Sequence, residues 1–135
     1  MSIVFINKTS ATARIPRAVI CRTFNRAKKL HSNKMRGKQI SVVFVNAKES
    51  KKINTKYRGQ SRATNVLSFP GAEDELGDIV ICPSIVRNEI KEIGTNFNAR
   101  VEHLFAHGLM HLLGYDHQTS GQTNIMEKEE QRIIN

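Results

Sequence analysis

The chain has 135 residues, enough for one domain with a buried core, and it carries 21 Lys and Arg against 12 Asp and Glu. The formal net charge of +9 favours a polyanionic partner, either nucleic acid or an anionic membrane surface. The sequence contains neither an apolar run of membrane-spanning length nor a signal-peptide core, which argues against an integral membrane protein.

The two cysteines, Cys21 and Cys82, are far apart in the sequence and form no CxxC pair. This usage is typical of a reducing compartment, although it leaves a disulfide between them open. We therefore expect a cytoplasmic protein that does not associate with membranes.

The N-terminal segment is basic, since no Asp or Glu precedes Glu49. An acid-free segment with arginines can be an organelle transit peptide. We prefer a folded segment, because residues 2–7 have the composition of a strand and residues 16–30 the apolar spacing of a helix. The cations of that helix form either a solvated face or an RNA-facing one, and we slightly favour the solvated face. Residues 31–38 are predicted to be a loop, with His31 exposed to solvent.

The remaining predicted elements follow one another without a linker, a repeat or a low-complexity tract. The first is a strand over 40–45, followed by a helix that is capped by Asn46 or Ser50 and ends near Tyr57. Two strands follow, over 65–69 and 79–82, with an acidic turn at 73–75 between them. Three helices complete the chain: one from Pro83 or Ser84 to Gly94, one over 97–113, and one over 121–134 that is capped by Ser120. This order predicts one α+β domain over residues 1–135. A single small mixed sheet of about four strands would carry the packed helices, with the helix over 97–113 in the centre.

Three histidines in and after that central helix predict a metal site. His107 and His111 are four residues apart, so they share one face of a helix. His117 cannot lie on that face of the same helix, but Gly114 can end the helix and turn the chain back. Three imidazoles leave one coordination position for water, as in a catalytic zinc site.

The residue after the first histidine is Gly108, where the HExxH zinc peptidases carry the glutamate that serves as general base. The sequence therefore argues against peptide hydrolysis. Asp116 either orients a ligand imidazole or caps the turn. His103 either orients a ligand or carries protons, although we prefer a buried histidine with a satisfied hydrogen bond. Glu102 is a weaker candidate for the general base.

Four segments of the chain resemble the YbeY-type endoribonucleases, a family of ribosomal-RNA maturation factors. They are HGLMHLLGYDH (107–117), NTKYRGQSRATNVLSFP (54–70), LGDIVIC (76–82) and MEKEEQRII (126–134). Three positions depart from the family pattern: Ser61 replaces a frequent Asp, Ala63 a frequent Pro, and Met110 an aliphatic residue.

The resemblance implies a zinc-dependent endoribonuclease that prefers single strands and processes ribosomal RNA, notably the 3′ end of the small-subunit RNA. It implies one zinc ion per chain bound by His107, His111 and His117, and it implies Arg58 as the functional arginine. From the residues alone, Arg58 is equally well a surface cation of a basic helix. The implied partners are ribosomal RNA and the small subunit, with a role in ribosome quality control. A ribosome-assembly GTPase or a ribosomal protein stays open as a further partner.

The cations around Arg58 are predicted to position the RNA backbone without reading its sequence: Lys51, Lys52, Lys56 and Arg62. Two other classes of function stay open. One is a peptidase or another metal-dependent hydrolase, and the other is a non-catalytic ribosome-associated factor with structural zinc. The metal itself is not fixed, because zinc, nickel and cobalt all accept three imidazoles.

Overall fold

The computed structural model describes residues 3–10 and 14–134. The elements in chain order are β1 (Ile3–Asn7), α1 (Arg17–Leu30), α2 (Ser32–Met35), β2 (Gln39–Phe44), α3 (Ala47–Arg58), β3 (Val66–Pro70), β4 (Glu75–Ile81), α4 (Pro83–Ile93), α5 (Phe97–Leu112) and α6 (Ser120–Ile134). Ser2, the first residue of the predicted first strand, lies outside the described residues. The short helix α2 falls in a segment that was predicted to be a loop.

The four strands form one mixed sheet in the order β1-β2-β4-β3. The pairs β1–β2 and β2–β4 are parallel, and β3 pairs antiparallel with β4. Helical crossovers join the parallel strands, because a short turn cannot return the chain to the start of a parallel neighbour. This arrangement confirms the predicted α+β fold with one small mixed sheet.

Strand β4 begins at Glu75, four residues before the predicted start. The prediction placed a turn and a loop there because of the acidic residues and Gly77. Gly77 instead sits within the strand, opposite Pro70, with a φ of 141°. A Cβ at this position would lie 2.0 Å from the Phe69 carbonyl oxygen, so only glycine lets the two strands come this close.

Different helices pack on the two faces of the sheet. Helices α1, α5 and α6 pack on one another over the face that carries Ile40, Ile79 and Ile81. On the other face, Ile53 of α3 packs into a smaller cluster with Leu67, Val80 and Cys82. Helix α5 contacts α1, α4, α6, β3 and β4, which confirms its central place.

Cys21 and Cys82 are both free thiols. The basic N-terminal segment supplies β1 and α1, with Ile3, Ile20 and Phe24 in the core, as the folded interpretation predicts. Among the described helices, none combines the length and the hydropathy that a bilayer span requires.

Candidate metal centre

The end of α5 turns the chain so that the third histidine can approach the first two. Gly114 has a φ of 100°, a conformation that glycine adopts without steric cost. Its N–H donates to the His111 carbonyl oxygen (3.0 Å), and the Tyr115 N–H donates to that of Met110 (3.0 Å). These two bonds form a Schellman motif, which satisfies the last carbonyls of a helix. The predicted role of Gly114 as the helix stop is confirmed.

The three histidine side chains converge beyond this turn. Their ligand atoms all lie within 4.8 Å of one another, and the ring centroids are 4.7, 4.9 and 5.5 Å apart. Zinc–nitrogen bonds of about 2.0–2.1 Å in a tetrahedron would place the nitrogens roughly 3.3 Å apart, a small adjustment of three side chains. His107 and His111 are half-buried and His117 is exposed, so one side of the cluster faces solvent. The donor set therefore fits a divalent ion and leaves a position for water or substrate.

Electrostatics favours neutral imidazole at His111. Burial lowers its pKa below the usual 6.5, and the charges of His107 and His117 lower it further. Only the neutral ring can bind a metal ion, so the low pKa prepares His111 as a ligand near neutral pH.

Glu130 of α6 contacts the side chain of one histidine of the cluster, and the sequence gave no role to this residue. Its Oε2 lies 2.9 Å from His107 Nδ1 and its Oε1 lies 3.2 Å from His103 Nε2. Burial raises the pKa of this carboxyl, but the hydrogen bonds from both histidines and their charges outweigh it and lower the pKa to about 2. Its position in the family-like ending MEKEEQRII was the one signal available in the sequence.

Two grooves meet at the histidines. The edge groove, about 590 Å³, runs between β3 and the end of α5, and it is lined by Arg58, Thr64, Asn65, Val66, Leu67, Ser68, Pro70, His107, His111, Leu112, Asp116, His117 and Gln118. The helical groove, about 570 Å³, lies between α5 and α6, and it is lined by His103, His107, His117, Thr123, Met126, Glu127, Glu130 and Gln131. His107 and His117 belong to both, so a ligand at the cluster can extend to either side.

Side chains of α3 hold the loop that follows Arg58. The buried Ser50 hydroxyl donates to the Thr64 carbonyl oxygen (2.9 Å) and accepts the Thr64 N–H (2.9 Å). The buried Asn54 amide donates to the Arg62 carbonyl oxygen (2.9 Å). These bonds fix the loop over 59–65 without the Asp and Pro that the family often has there. Arg58, the last residue of α3 before this loop, lines the edge groove with the three histidines.

The other predicted cations lie outside both grooves. Lys51, Lys52 and Lys56 are exposed on α3, and Arg62 is exposed in the loop after it. None of the four lines either groove. They form a basic surface on the element that carries Arg58, which suits contact with a backbone that extends beyond the edge groove.

Two expectations about the central helix are wrong. Glu102 is buried against α1, where its Oε2 accepts the Thr23 hydroxyl proton (2.6 Å), so it is not a base at this site. The His103 side chain is 46 % exposed, so it is no core histidine. Its contact with Glu130, which also contacts His107, places it beside the histidine cluster instead.

Asp116 Oδ1 accepts the His117 N–H (2.7 Å), a bond to the backbone of the third histidine, and Asp116 also lines the edge groove. Both predicted roles of Asp116 stay predictions.

His31 is not where the sequence predicted it. The His31 side chain is only 8 % exposed, and its Nε2 lies 3.2 Å from Glu129 Oε1. The prediction of a solvent-exposed His31 is wrong, because Glu129 of α6 and the Tyr115 ring lie against a residue that local sequence places in a polar loop.

Known proteins resemble this chain in sequence over most of its length. Residues 5–135 match the family described as Endoribonuclease YbeY. The chain is 40% identical to Endoribonuclease YbeY of Stenotrophomonas maltophilia strain K279a, over 75% of this chain and 69% of that protein. It is 41% identical to Endoribonuclease YbeY of Halorhodospira halophila, over 73% of this chain and 70% of the relative.

A solved structure shows a similar fold. The solution structure of TM1509 from Thermotoga maritima aligns with a TM-score of 0.65 and 25% sequence identity, over 97% of this chain and 88% of that one. Together with the family match over nearly the whole sequence, the mixed sheet and the histidine cluster at the end of α5 lead to one assignment. The chain belongs to the YbeY endoribonuclease family.

Proposed function

We propose that this chain is a zinc-dependent endoribonuclease that prefers single strands and acts in the cytoplasm on ribosomal RNA. Its substrate would be the 3′ end of the small-subunit RNA, during maturation and ribosome quality control. The observation that carries the proposal is the convergence of three histidines and Arg58 on one groove. Family membership supports the endoribonuclease activity, and the net charge of +9 supports a polyanionic substrate.

The residues of the edge groove have distinct tasks in this proposal. A bound divalent ion would supply Lewis-acid activation of water and neutralise charge on a phosphate oxygen. His107, His111 and His117 would hold that ion. Arg58 would bind the non-bridging phosphate oxygens, where negative charge grows as the phosphodiester is cleaved. A guanidinium suits this task because it stays ionised and offers a planar pair of donors.

Substrate selection would rest mainly on the backbone of the RNA. The exposed cations of α3 and its following loop lie on the same part of the chain as Arg58 and would neutralise phosphates of the strand outside the edge groove. Contacts of this kind position a strand but carry no sequence information. We therefore expect the choice of cleavage site to depend on the small ribosomal subunit as the partner that presents the RNA.

The test pairs metal analysis with an RNA-cleavage assay. Wild type, His111→Ala and the control His31→Gln are compared on single-stranded RNA that carries the small-subunit 3′ end, both naked and in the subunit. We expect about one zinc per chain and cleavage by wild type and the control. His111→Ala should lose both. Wild type that binds zinc and cleaves neither substrate would refute the proposed function.

The same samples separate the two alternatives. A peptidase would digest casein, which we do not expect since Gly108 occupies the position of the peptidase base. A factor with structural zinc would unfold when a chelator removes the ion. The solvent-facing His117 and a core that is built independently of the cluster predict that chelation abolishes cleavage and leaves the far-UV circular dichroism nearly unchanged.

A further inference from the structure

We propose that Glu130 is a positioning residue of the metal centre, which holds the proton of His107 on Nδ1 and so presents Nε2 to the metal. The inference rests on the metal centre of the proposed function. It starts from one contact, the 2.9 Å between Glu130 Oε2 and His107 Nδ1. An ionised carboxylate only accepts hydrogen bonds, so Nδ1 is the donor, and in the neutral ring that can bind a metal the free electron pair is then on Nε2.

The surroundings of Glu130 favour the ionised form that this role needs. Its side chain is 4 % exposed, and a carboxylate at that depth is costly unless it is paired. Each of its oxygens has its own histidine, His107 at Oε2 and His103 at Oε1. His103 is the more exposed of the two, so it can keep the second oxygen satisfied while His107 binds a metal.

The packing of α6 makes the Glu130 contact rigid. Met126 and Ile133, one turn on either side of Glu130, are buried in the core with 1 % and 0 % exposure. Helix α6 also follows directly on the loop that carries His117. Helix α6 therefore anchors the C-terminal end of the loop that carries His117, and its Glu130 orients His107. The positions of the two histidines are coupled through this helix.

A positioning role predicts that losing Glu130 changes the zinc affinity, whereas an ion pair that only stabilises the fold predicts no such change. A carboxylate behind a ligand histidine fixes the tautomer and raises the basicity of the imidazole, and its loss typically weakens metal binding by 10–100-fold. A buried pair that only stabilises the fold would change the free energy of unfolding and leave the zinc affinity of the folded protein unchanged.

The experiment measures zinc affinity by competition with a chromophoric chelator. The proteins are wild type, Glu130→Gln, Glu130→Leu and the matched control Glu129→Gln, whose carboxylate pairs with His31 and Arg132 instead. We expect Glu130→Leu to bind zinc about 10–100-fold more weakly than wild type. Glu130→Gln, which can still accept the Nδ1 proton, should lie between them, and Glu129→Gln should equal wild type. Equal affinity of all four would overturn the proposal.

A second measurement needs no variant and stands even if one fails to fold. In zinc-loaded wild type, long-range ¹H–¹⁵N spectra of the imidazoles should show His107 protonated at Nδ1 and coordinated through Nε2. Coordination through Nδ1, or no zinc binding by wild type, would overturn the proposal. Zinc binding that depends on Glu130 in a protein that cleaves no RNA would leave this inference standing and refute only the proposed function.

Discussion

Gly108 lies against Ser68 with no space between helix α5 and strand β3 for a side chain. A Cβ at position 108 would be 2.8 Å from Ser68 Oγ and 3.3 Å from two carbons of Ile79. This glycine occupies the position of the catalytic glutamate in HExxH peptidases. The fold therefore excludes that glutamate, because the helix face that would carry it is packed on the sheet.

Replacing Gly108 by glutamate should destabilise the fold and should not create a peptidase. Gly108→Glu would bury an unpaired carboxylate against Ile79, and we expect the free energy of unfolding to fall by about 3–5 kcal/mol. Urea denaturation of the metal-free proteins measures this. The same change at Gly121, which has open surroundings in the first turn of α6, is the control and should not lower the free energy of unfolding, because glutamate is favourable near a helix N-terminus. A stable Gly108→Glu protein that digests casein would contradict the argument.

Gly114 should matter for the metal as well as for stability. Gly114→Ala forces a residue with a side chain into positive φ, which costs about 1–2 kcal/mol, and the strain falls on the turn that positions His117. We expect weaker zinc binding in a chelator competition. Gly94→Ala places a similar strain at the end of α4, with φ 79°, far from the ligands. It should lose stability and keep the zinc affinity of wild type, so equal affinities of the two variants would contradict this role.

The predictable part of the site is the part that is local in sequence. The spacing of His107 and His111 and the stop at Gly114 follow from helix geometry, so the cluster could be found without the fold. Glu130 could not, because its partners lie 23 and more residues away on another helix. The burial of His31 likewise depends on the packing of α6 against the segment after α1, which no local pattern of polar residues reveals.

Arg58 should affect catalysis without affecting metal binding. Arg58→Ala removes a donor pair from the edge groove, and we expect the cleavage rate to fall by about 10²–10³-fold with zinc content unchanged. Arg58→Lys should lie in between, since it keeps the charge and loses the planar fork. Lys48→Ala, at the exposed start of the same helix, is the control. Single-turnover cleavage by Arg58→Ala at the wild-type rate would remove Arg58 from the mechanism.

His31 should make stability depend on pH in the slightly acid range. Burial lowers its pKa below 6.5, and this effect, with the nearby Lys34 and Arg132, outweighs the attraction of Glu129. Between the folded and unfolded pKa values, the unfolded chain binds more protons. The free energy of unfolding therefore falls as pH drops below about 6.5 and is level above it.

Removing the histidine isolates this contribution. In chelator-treated protein, urea denaturation between pH 8 and 5 should show that His31→Gln loses less stability on acidification than wild type. His111, whose pKa is also lowered, contributes equally to both proteins and cancels in the difference. Parallel curves for the two proteins would show that His31 titrates alike in both states.

The basic surface of α3 should determine how strongly salt weakens RNA binding. Each phosphate contact on a single strand contributes about 0.7 to the slope of log affinity against log salt, so alanine at all four predicted cations should reduce the slope by up to about 3. Those positions are Lys51, Lys52, Lys56 and Arg62. Fluorescence anisotropy with labelled single-stranded RNA measures this in a His111→Ala background, where the strand stays intact. The double change Lys28→Ala and Lys29→Ala on α1 is the control. If that control lowers the slope and the α3 variant does not, the RNA follows α1 instead of α3.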